Sequence, residues 1–364
     1  MKKVCIVMPV HWSSSLGGAE YQAKLLADAL YNTGRCKVFC LAGSINIRDK
    51  STEYSSINIA SKISCRKYSK SFDTPALLRS LKEIEPDIIY QRDGGAYTGI
   101  TAYYAKKNNC KMVWHIAHEW DVSPIELKPL KTWPFRFIDK QMLNYGIRHS
   151  SQIIAQNQTQ KVLLEKGFKR DATVVANFHP KPTGCLKKGN ELKIVWVANF
   201  KEWKRPEIFI QLAKELVNVE NVRFIMVGKP MQNKKAFTKL LKSINSSKNL
   251  DYLGEINQEE VNSVLEESDI FVNTSRYEGF PNTFIQAWMR KNVVVSLNVN
   301  PDNILDQYHI GLFADDSFEK LKANVTYLIR NNEIRKKIAA RGQAYAYKEH
   351  SMNNVNKLIK YLIT

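Results

Sequence analysis

An acid, a turn glycine and a proline stand together at Glu278-Gly279-Phe280-Pro281, and Gln286 follows Glu278 by eight positions. The run DIFVNTS (269–275) before them reads as a strand and NTFIQAWMR (282–290) after them as a helix. The spacing predicts an acid at the carboxyl edge of a sheet, beside a helix N-terminus, with Gln286 about two turns along that helix. Two such groups can hydrogen-bond vicinal hydroxyls, as on a ribose or a hexose. The plainer alternative is that Glu278 favours the helix dipole and Gln286 is a surface residue.

Two further places offer charge or close backbone approach. Lys204 and Arg205 lie in VANFKEWKRPE, between the strand ELKIVWVAN (191–199) and a helix opening at Pro206. Ligands of open α/β sheets bind at the carboxyl ends of strands, and two cations there can neutralise a diphosphate. A solvated basic loop is the bland reading. Gly17 and Gly18 close the loop HWSSSLGG between the first strand and the helix at Ala19. A glycine pair at such a turn lets a phosphate approach the free N–H groups and the positive helix end. Neither the dinucleotide fingerprint nor a P-loop is present, so an ordinary strand-to-helix turn is the competing reading.

The elements that must hold these residues form an α/β series. VCIVMPV (4–10), KVFCLAG (37–43), PDIIYQR (86–92) and KMVWHIAH (111–118) read as strands, separated by the amphipathic runs AEYQAKLLADAL, ALLRSLKEI and GAYTGITAYYAKK. The rhythm restarts at 191–199 and continues through VRFIMVG (222–228), DIFVNTS and NVVVSLN (292–298), with Asn257 and Glu260 as a capping box. The join falls near 178–190, in NFHPKPTGCLKKGN. The expected domains are 1–180 and 181–344, with a helix of about 345–364 packing back on the first.

Length and composition agree. At 364 residues the chain exceeds what one core supports, so two domains are expected. No apolar run nears the 18 or so residues of a membrane-spanning helix, and the apolar start reads as a strand rather than a signal peptide. Six scattered cysteines without zinc or Cys-x-x-Cys spacing suit a reducing cytoplasm. The net charge of +19 suggests an anionic partner. It divides as +11 over 1–180 and +8 beyond, without a basic arm or recognition helix, which argues against specific nucleic-acid binding. Lys62, Arg66, Lys67, Lys70 and KPLKTWPFRF (128–137) are a candidate surface for anionic lipid, with an ordinary solvated surface as the alternative.

The pieces LGGAE (16–20), PDIIYQR (86–92), SSQIIAQNQTQKVLLEKG (150–167), VWVANFKEWKRPE (195–207), YLGEINQEEV (252–261) and EGFPNTFIQAWMRKNVVVSLN (278–298), in this order, resemble the family 4 glycosyltransferases, retaining enzymes of the GT-B fold, glycosyl transferases group 1. The resemblance implies two Rossmann-like doubly wound domains facing across a cleft, and sugar transfer from a UDP- or GDP-sugar to a glycan or lipid-linked acceptor. The setting it implies is bacterial surface polysaccharide or lipopolysaccharide synthesis, in the cytoplasm or peripherally on the inner face of its membrane.

Carried over residue by residue, Glu278 falls near the donor sugar's hydroxyls. Gln286 takes the place of the family's second Glu. Lys204 matches the Lys that grips the diphosphate; Asn199 stands where the family has Arg, so Arg205 is a substitute. Gly279, Phe280, Asn282 and Thr283 cradle the distal phosphate, and Gly17 and Gly18 match the family's glycine loop. A histidine that lines the reaction centre corresponds to His118 or His115, with His118 favoured. The absence of an Asp-x-Asp pair supports metal independence, and no cofactor is expected. The alternatives are a catalytically weakened binding protein, for which Asn199 and Gln286 argue, and a sugar-nucleotide epimerase or phosphorylase of the same fold.

Overall fold

The computed structural model describes residues 1–14, 17–46, 54–63, 66, 68–123, 133–184 and 189–363. Leu16, Cys65, Lys67, Cys185 and residues 128–132 lie outside them. The chain divides into two compact units, Met1–Phe178 with Met352–Thr364, and His179–Ser351. The crossings thus fall at 178/179 and 351/352, beside the expected 180/181 and about 344/345.

The first unit alternates strands and helices. In chain order it has β1 (Lys2–Met8), α1 (Gly18–Asn32), β2 (Cys36–Ala42), β3 (Ser55–Asn58), α2 (Thr74–Ile84), β4 (Ile88–Arg92), α3 (Ala96–Lys107), β5 (Lys111–His115), α4 (Glu119–Val122), α5 (Trp133–His149), β6 (Gln152–Ala155), α6 (Gln158–Phe168) and β7 (Thr173–Val174). Its seven strands run parallel in the order β3-β2-β1-β4-β5-β6-β7. β1 is buried on both faces, as its unbroken apolar run requires. Val4, Ile6 and Met8 pack with Ala23, Leu26 and Leu30 of α1, while Cys5 and Val7 pack with Leu77, Ile89 and Trp114 on the other side. β1 stops before Pro9, which has no N–H to give a ladder.

The second unit repeats the plan. Its elements are β8 (Leu192–Val197), α7 (Pro206–Glu215), β9 (Val222–Val227), α8 (Lys234–Asn245), β10 (Leu250–Tyr252), α9 (Gln258–Glu267), β11 (Ile270–Asn273), α10 (Asn282–Met289), β12 (Val293–Ser296), α11 (Ile304–Gln307), β13 (Gly311–Phe313), α12 (Phe318–Arg330) and α13 (Asn332–Glu349). The strands run parallel in the order β10-β9-β8-β11-β12-β13. Counted from each unit's first strand, both sheets share the order 3-2-1-4-5-6 of doubly wound nucleotide-binding folds. Asn257 caps α9 through the N–H groups of Glu259 and Glu260, with Glu260 returning the bond, as its spacing predicts.

The expected single helix over 345–364 is two. α13 ends at Glu349, and α14 (Asn353–Ile363) begins after a break at His350. The break is built by His350: its ring packs on Phe280 and Tyr345, and its carbonyl accepts the His179 N–H at 2.9 Å. α14 belongs to the first unit. Val355, Leu358 and Leu362 lie on one stripe and join the α1 core. Lys111 Nζ reaches the Tyr361 carbonyl at 2.6 Å and Lys2 reaches that of Ile363, so two cations sit at this helix's negative end.

Candidate active site

In each sheet the strand order reverses between its first and fourth strands, and the loops leaving those strands are the expected ligand crevice. In the second unit these are the loops after β8 and β11. Glu278 lies in one and Lys204 in the other, and their side chains form an ion pair, both largely buried at 14% and 19% exposed. The loops are stitched together beneath it. Thr274 Oγ1 donates to the Lys204 carbonyl at 2.6 Å and accepts from Trp196 Nε1 at 2.9 Å. The Arg276 N–H donates to the Trp203 carbonyl at 2.8 Å. Trp203 and Tyr277, one position before Lys204 and Glu278, stack with ring centres 6.2 Å apart and planes 16° from parallel. The sequence reading did not find Thr274, Trp203 or Tyr277.

Arg205 is directed elsewhere than the expected diphosphate. It sits in a left-handed conformation, φ 48°, before the Pro206 that opens α7. Its guanidinium donates to the Thr274 carbonyl at 2.8 Å and to Asp316 at 2.5 Å. The fork therefore clamps the end of β11, and Lys204 is the cation that meets Glu278. Asn199 also serves its loop, its side-chain oxygen accepting the Lys229 N–H at 3.3 Å. Gln286 is buried at 5% exposed, and its amide donates to Asn262 of α9 at 3.3 Å. The structure thus turns this group toward a neighbouring helix, where the spacing alone allowed either face.

Gly279, Phe280, Asn282 and Thr283 lead into α10. That helix starts after Pro281 without a side-chain cap and without an acid in its first turn, and such a helix start favours an anion. Phe280 is buried against the His350 ring, and Asn282 Oδ1 lies 3.2 Å from His179 Nε2. Burial holds His179 down at about 3, so it is a neutral partner.

In the first unit Gly17 precedes α1 in an extended conformation. A Cβ there would stand 2.2 Å from a carboxylate oxygen of Glu20. The glycine's space is thus covered by an anion from the first helical turn, which the sequence reading did not anticipate. β5 ends at His115, three residues short of the expected strand end. His115 is 1% exposed, with Nδ1 2.8 Å from the Tyr90 hydroxyl and 3.2 Å from Arg92. Burial and the Arg92 charge hold its pKa well below the ordinary histidine value. His118 is half-buried in the following turn, edge-on to Trp120 at 6.1 Å. Of the two histidines, it is the one with exposed surface.

Among the described residues no group of three or more His, Cys, Asp or Glu side chains is placed to hold a metal ion. Likewise no helix among them is long and apolar enough to cross a membrane.

Residues 182–345 match the family model of glycosyl transferases group 1. An uncharacterized glycosyltransferase of Methanocaldococcus jannaschii is 24% identical over 212 residues, 57% of this chain and 58% of that protein. A second from the same organism is 27% identical over 154 residues, 40% of this chain and 38% of the relative. The matches thus span about half the length of these relatives or less. Among solved structures, HepE of Anabaena in complex with UDP-glucose superposes with a TM-score of 0.78 at 16% identity, covering 99% of each chain. WaaG, a glycosyltransferase involved in lipopolysaccharide biosynthesis, gives 0.80 at 13% identity, also over 99% of each. These likenesses establish the GT-B fold.

Proposed function

We propose, from the match of residues 182–345 to the family model of glycosyl transferases group 1, that this chain is a retaining, metal-independent glycosyltransferase that moves a sugar from a nucleotide-sugar donor to a glycan or lipid-linked acceptor. The observation that carries the reading is the Lys204–Glu278 ion pair at the reversal point of the second sheet. Departure of a nucleoside diphosphate concentrates negative charge on its distal phosphate. Lys204 and the uncapped start of α10, with Gly279, Phe280, Asn282 and Thr283 around it, are suited to stabilise that charge. Glu278 accepts hydrogen bonds from the donor sugar's hydroxyls, and Lys204 holds it in place. His118 is the residue of the first unit that the family resemblance assigns to the reaction centre. HepE's complex with UDP-glucose supports a uridine diphosphate sugar as donor, and WaaG supports a lipopolysaccharide-type acceptor.

The deciding experiment replaces Glu278 with Ala and follows UDP release from UDP-glucose in the presence of candidate acceptors. Retained turnover would refute the assigned site. Activity lost in EDTA and restored by Mg or Mn would refute metal independence. The side-chain commitments of Gln286 and Arg205 give a specific alternative, a weakened enzyme that binds. Calorimetric binding of UDP-glucose without transfer to any acceptor would establish it.

An anionic membrane surface is proposed as a partner of the first unit. α5 exposes Phe137 and Ile138 beside Arg136, and Tyr68 stacks on Phe135 at 5.6 Å. An apolar edge with a flanking cation is suited to an interface rich in acidic lipid. Flotation with vesicles containing phosphatidylglycerol, but not with phosphatidylcholine alone, is the expected result. Equal behaviour with both removes the partner.

A further inference from the structure

Asp121 lies three positions beyond His118, in the one-turn helix α4, and is 8% exposed. Its Oδ2 accepts the backbone N–H of Ala117 at 3.1 Å and that of His118 at 3.0 Å. The His118 carbonyl accepts the Asp121 N–H at 3.1 Å, which closes the turn on itself. The other carboxylate oxygen faces the loop after β4. A Cβ built on Gly94 would stand 2.4 Å from Oδ1 and 2.6 Å from the carboxyl carbon, so only glycine lets that loop lie so close. The same loop is fixed to β5, because buried Trp114 donates its ring N–H to the Asp93 carbonyl at 3.3 Å. One carboxylate therefore holds the turn after β5 close against the loop after β4, and the residue it holds is His118.

We propose that Asp121 is a positioning residue for His118, clamping the turn that presents the histidine ring at the ends of β4 and β5. The inference rests on the reading of His118 as a reaction-centre residue. An aromatic ring three residues past its strand would otherwise sweep a wide arc. A misplacement of about 1 Å in a reacting group can cost about 100-fold in rate.

The clamp also carries its own titration. Burial and the neighbouring Asp93 carboxylate push Asp121 up to about 7, against the two N–H bonds that favour its charged form. The groups that face it are Asp93 beyond Gly94, Lys140 of α5, and His118 itself. Lys140, with Nζ 2.9 Å from the Ser123 carbonyl, favours the charged carboxylate. Glu119 stands on the same short helix, and α6, which packs on α4, carries Lys161, Glu165 and Lys166. As pH falls through about 7 the carboxylate takes up a proton, its hold on the two N–H groups weakens, and His118 loses its fixed orientation.

Two arms test this. In the first, the Ala117 and His118 amide proton shifts are followed by NMR from about pH 5 to 9, a readout independent of donor and acceptor. An inflection near 7 is expected; it moves to lower pH in Asp93→Asn, where the like charge is gone, and vanishes in Asp121→Asn. In the second, UDP release from UDP-glucose is measured. Asp121→Asn is expected to lower kcat about 10- to 100-fold with KM for UDP-glucose unchanged, and Asp121→Asn with His118→Ala to be no slower than His118→Ala alone. Amide shifts flat above about pH 5 overturn the inference, as do losses that add in the double variant. A slow His118→Ala beside a normal Asp121→Asn overturns the inference and leaves the functional reading standing. Wild-type turnover in His118→Ala overturns the inference and the role given to His118, and leaves the donor site of the second unit standing. If Asp121→Asn fails to fold, Asp93→Asn, which keeps the clamp and shifts only its titration, supplies the same decision through the amides.

Discussion

Lys204 and Glu278 are 74 positions apart in sequence and meet in one ion pair. Removing either leaves the other largely buried without its counter-charge, a cost of about 1–3 kcal/mol. Lys204→Ala is therefore expected to lower thermal stability and, measured separately by UDP release, to cut kcat by about 100- to 1,000-fold, the cost of losing one preorganised group at a developing anion. Equal kcat in the variant would remove Lys204 from the diphosphate. At this scale the sequence was informative where chemistry is local. An acid at a strand end beside a helix start is legible in EGFPNT, and a lysine at the neighbouring strand end in EWKRP. The destinations of long side chains were not. Arg205 and Lys204 are adjacent in sequence, yet one reaches Glu278 and the other Thr274 and Asp316. That choice depends on a left-handed residue and on a strand about seventy positions away. Thr274 escaped for the same reason, since its partners, the Lys204 carbonyl and the Trp196 ring N–H, lie 70 and 78 positions away.

Elements were legible in proportion to their length. The seven-residue β1 and the amphipathic α1 and α7 stand out by period, whereas β3, β7, β10 and β13, with two to four residues each, carry no alternation to read. Strand ends were overextended at Pro9 and after His115 because apolar composition continues past the last ladder bond. Among glycines, Gly228 is the one the donor loop depends on. It follows β9 with φ +150°, and a Cβ would stand 1.8 Å from the Ala198 carbonyl oxygen at the start of the loop that carries Lys204. Gly228→Ala is expected to cost about 2 kcal/mol or more, while Gly189→Ala, which meets open space, stays within about 0.5 kcal/mol. Urea midpoints at constant m-value check both. On α14, Leu358 is fully buried, so Leu358→Ala is expected to destabilise the first unit by about 2–5 kcal/mol. A neutral result would mean the helix contributes little to that core.

The whole molecule responds to acid unevenly. His179 in the second unit has its pKa held at about 3 by burial, so the unfolded chain takes up more protons below about 6.5 and stability is lost as pH falls through that window. In the first unit His115 acts in the same direction. Asp121 opposes it. Its raised value means the native state keeps a proton that the unfolded chain has released, so its contribution is present below about 3.8 and fades as pH rises to about 7. Between pH 7 and 5 the second unit is expected to lose more protection than the first. Hydrogen exchange at β8 and β1 amides, corrected for intrinsic rates, measures the difference, and Asp121→Asn should bring the first unit into line with the second. Equal responses of the two units in the wild type would refute this balance. The division into two α/β units was readable because the strand-helix rhythm stops and restarts, and the C-terminal helix was expected to pack back on the first domain, though the break at His350 that splits it into α13 and α14 was not foreseen. That recrossing has a consequence for synthesis. The face of α1 that α14 covers emerges from the ribosome early, while its cover follows only after the roughly 170 residues of the second unit. At about 5–20 residues per second, that stretch takes about 9–35 s after Phe178 is made, and through it Ala23, Leu26 and Leu30 lack their last partner. Over that interval the nascent first unit presents an open apolar stripe, a target for chaperones and a hazard on crowded polysomes, which slower decoding of the second unit would lengthen.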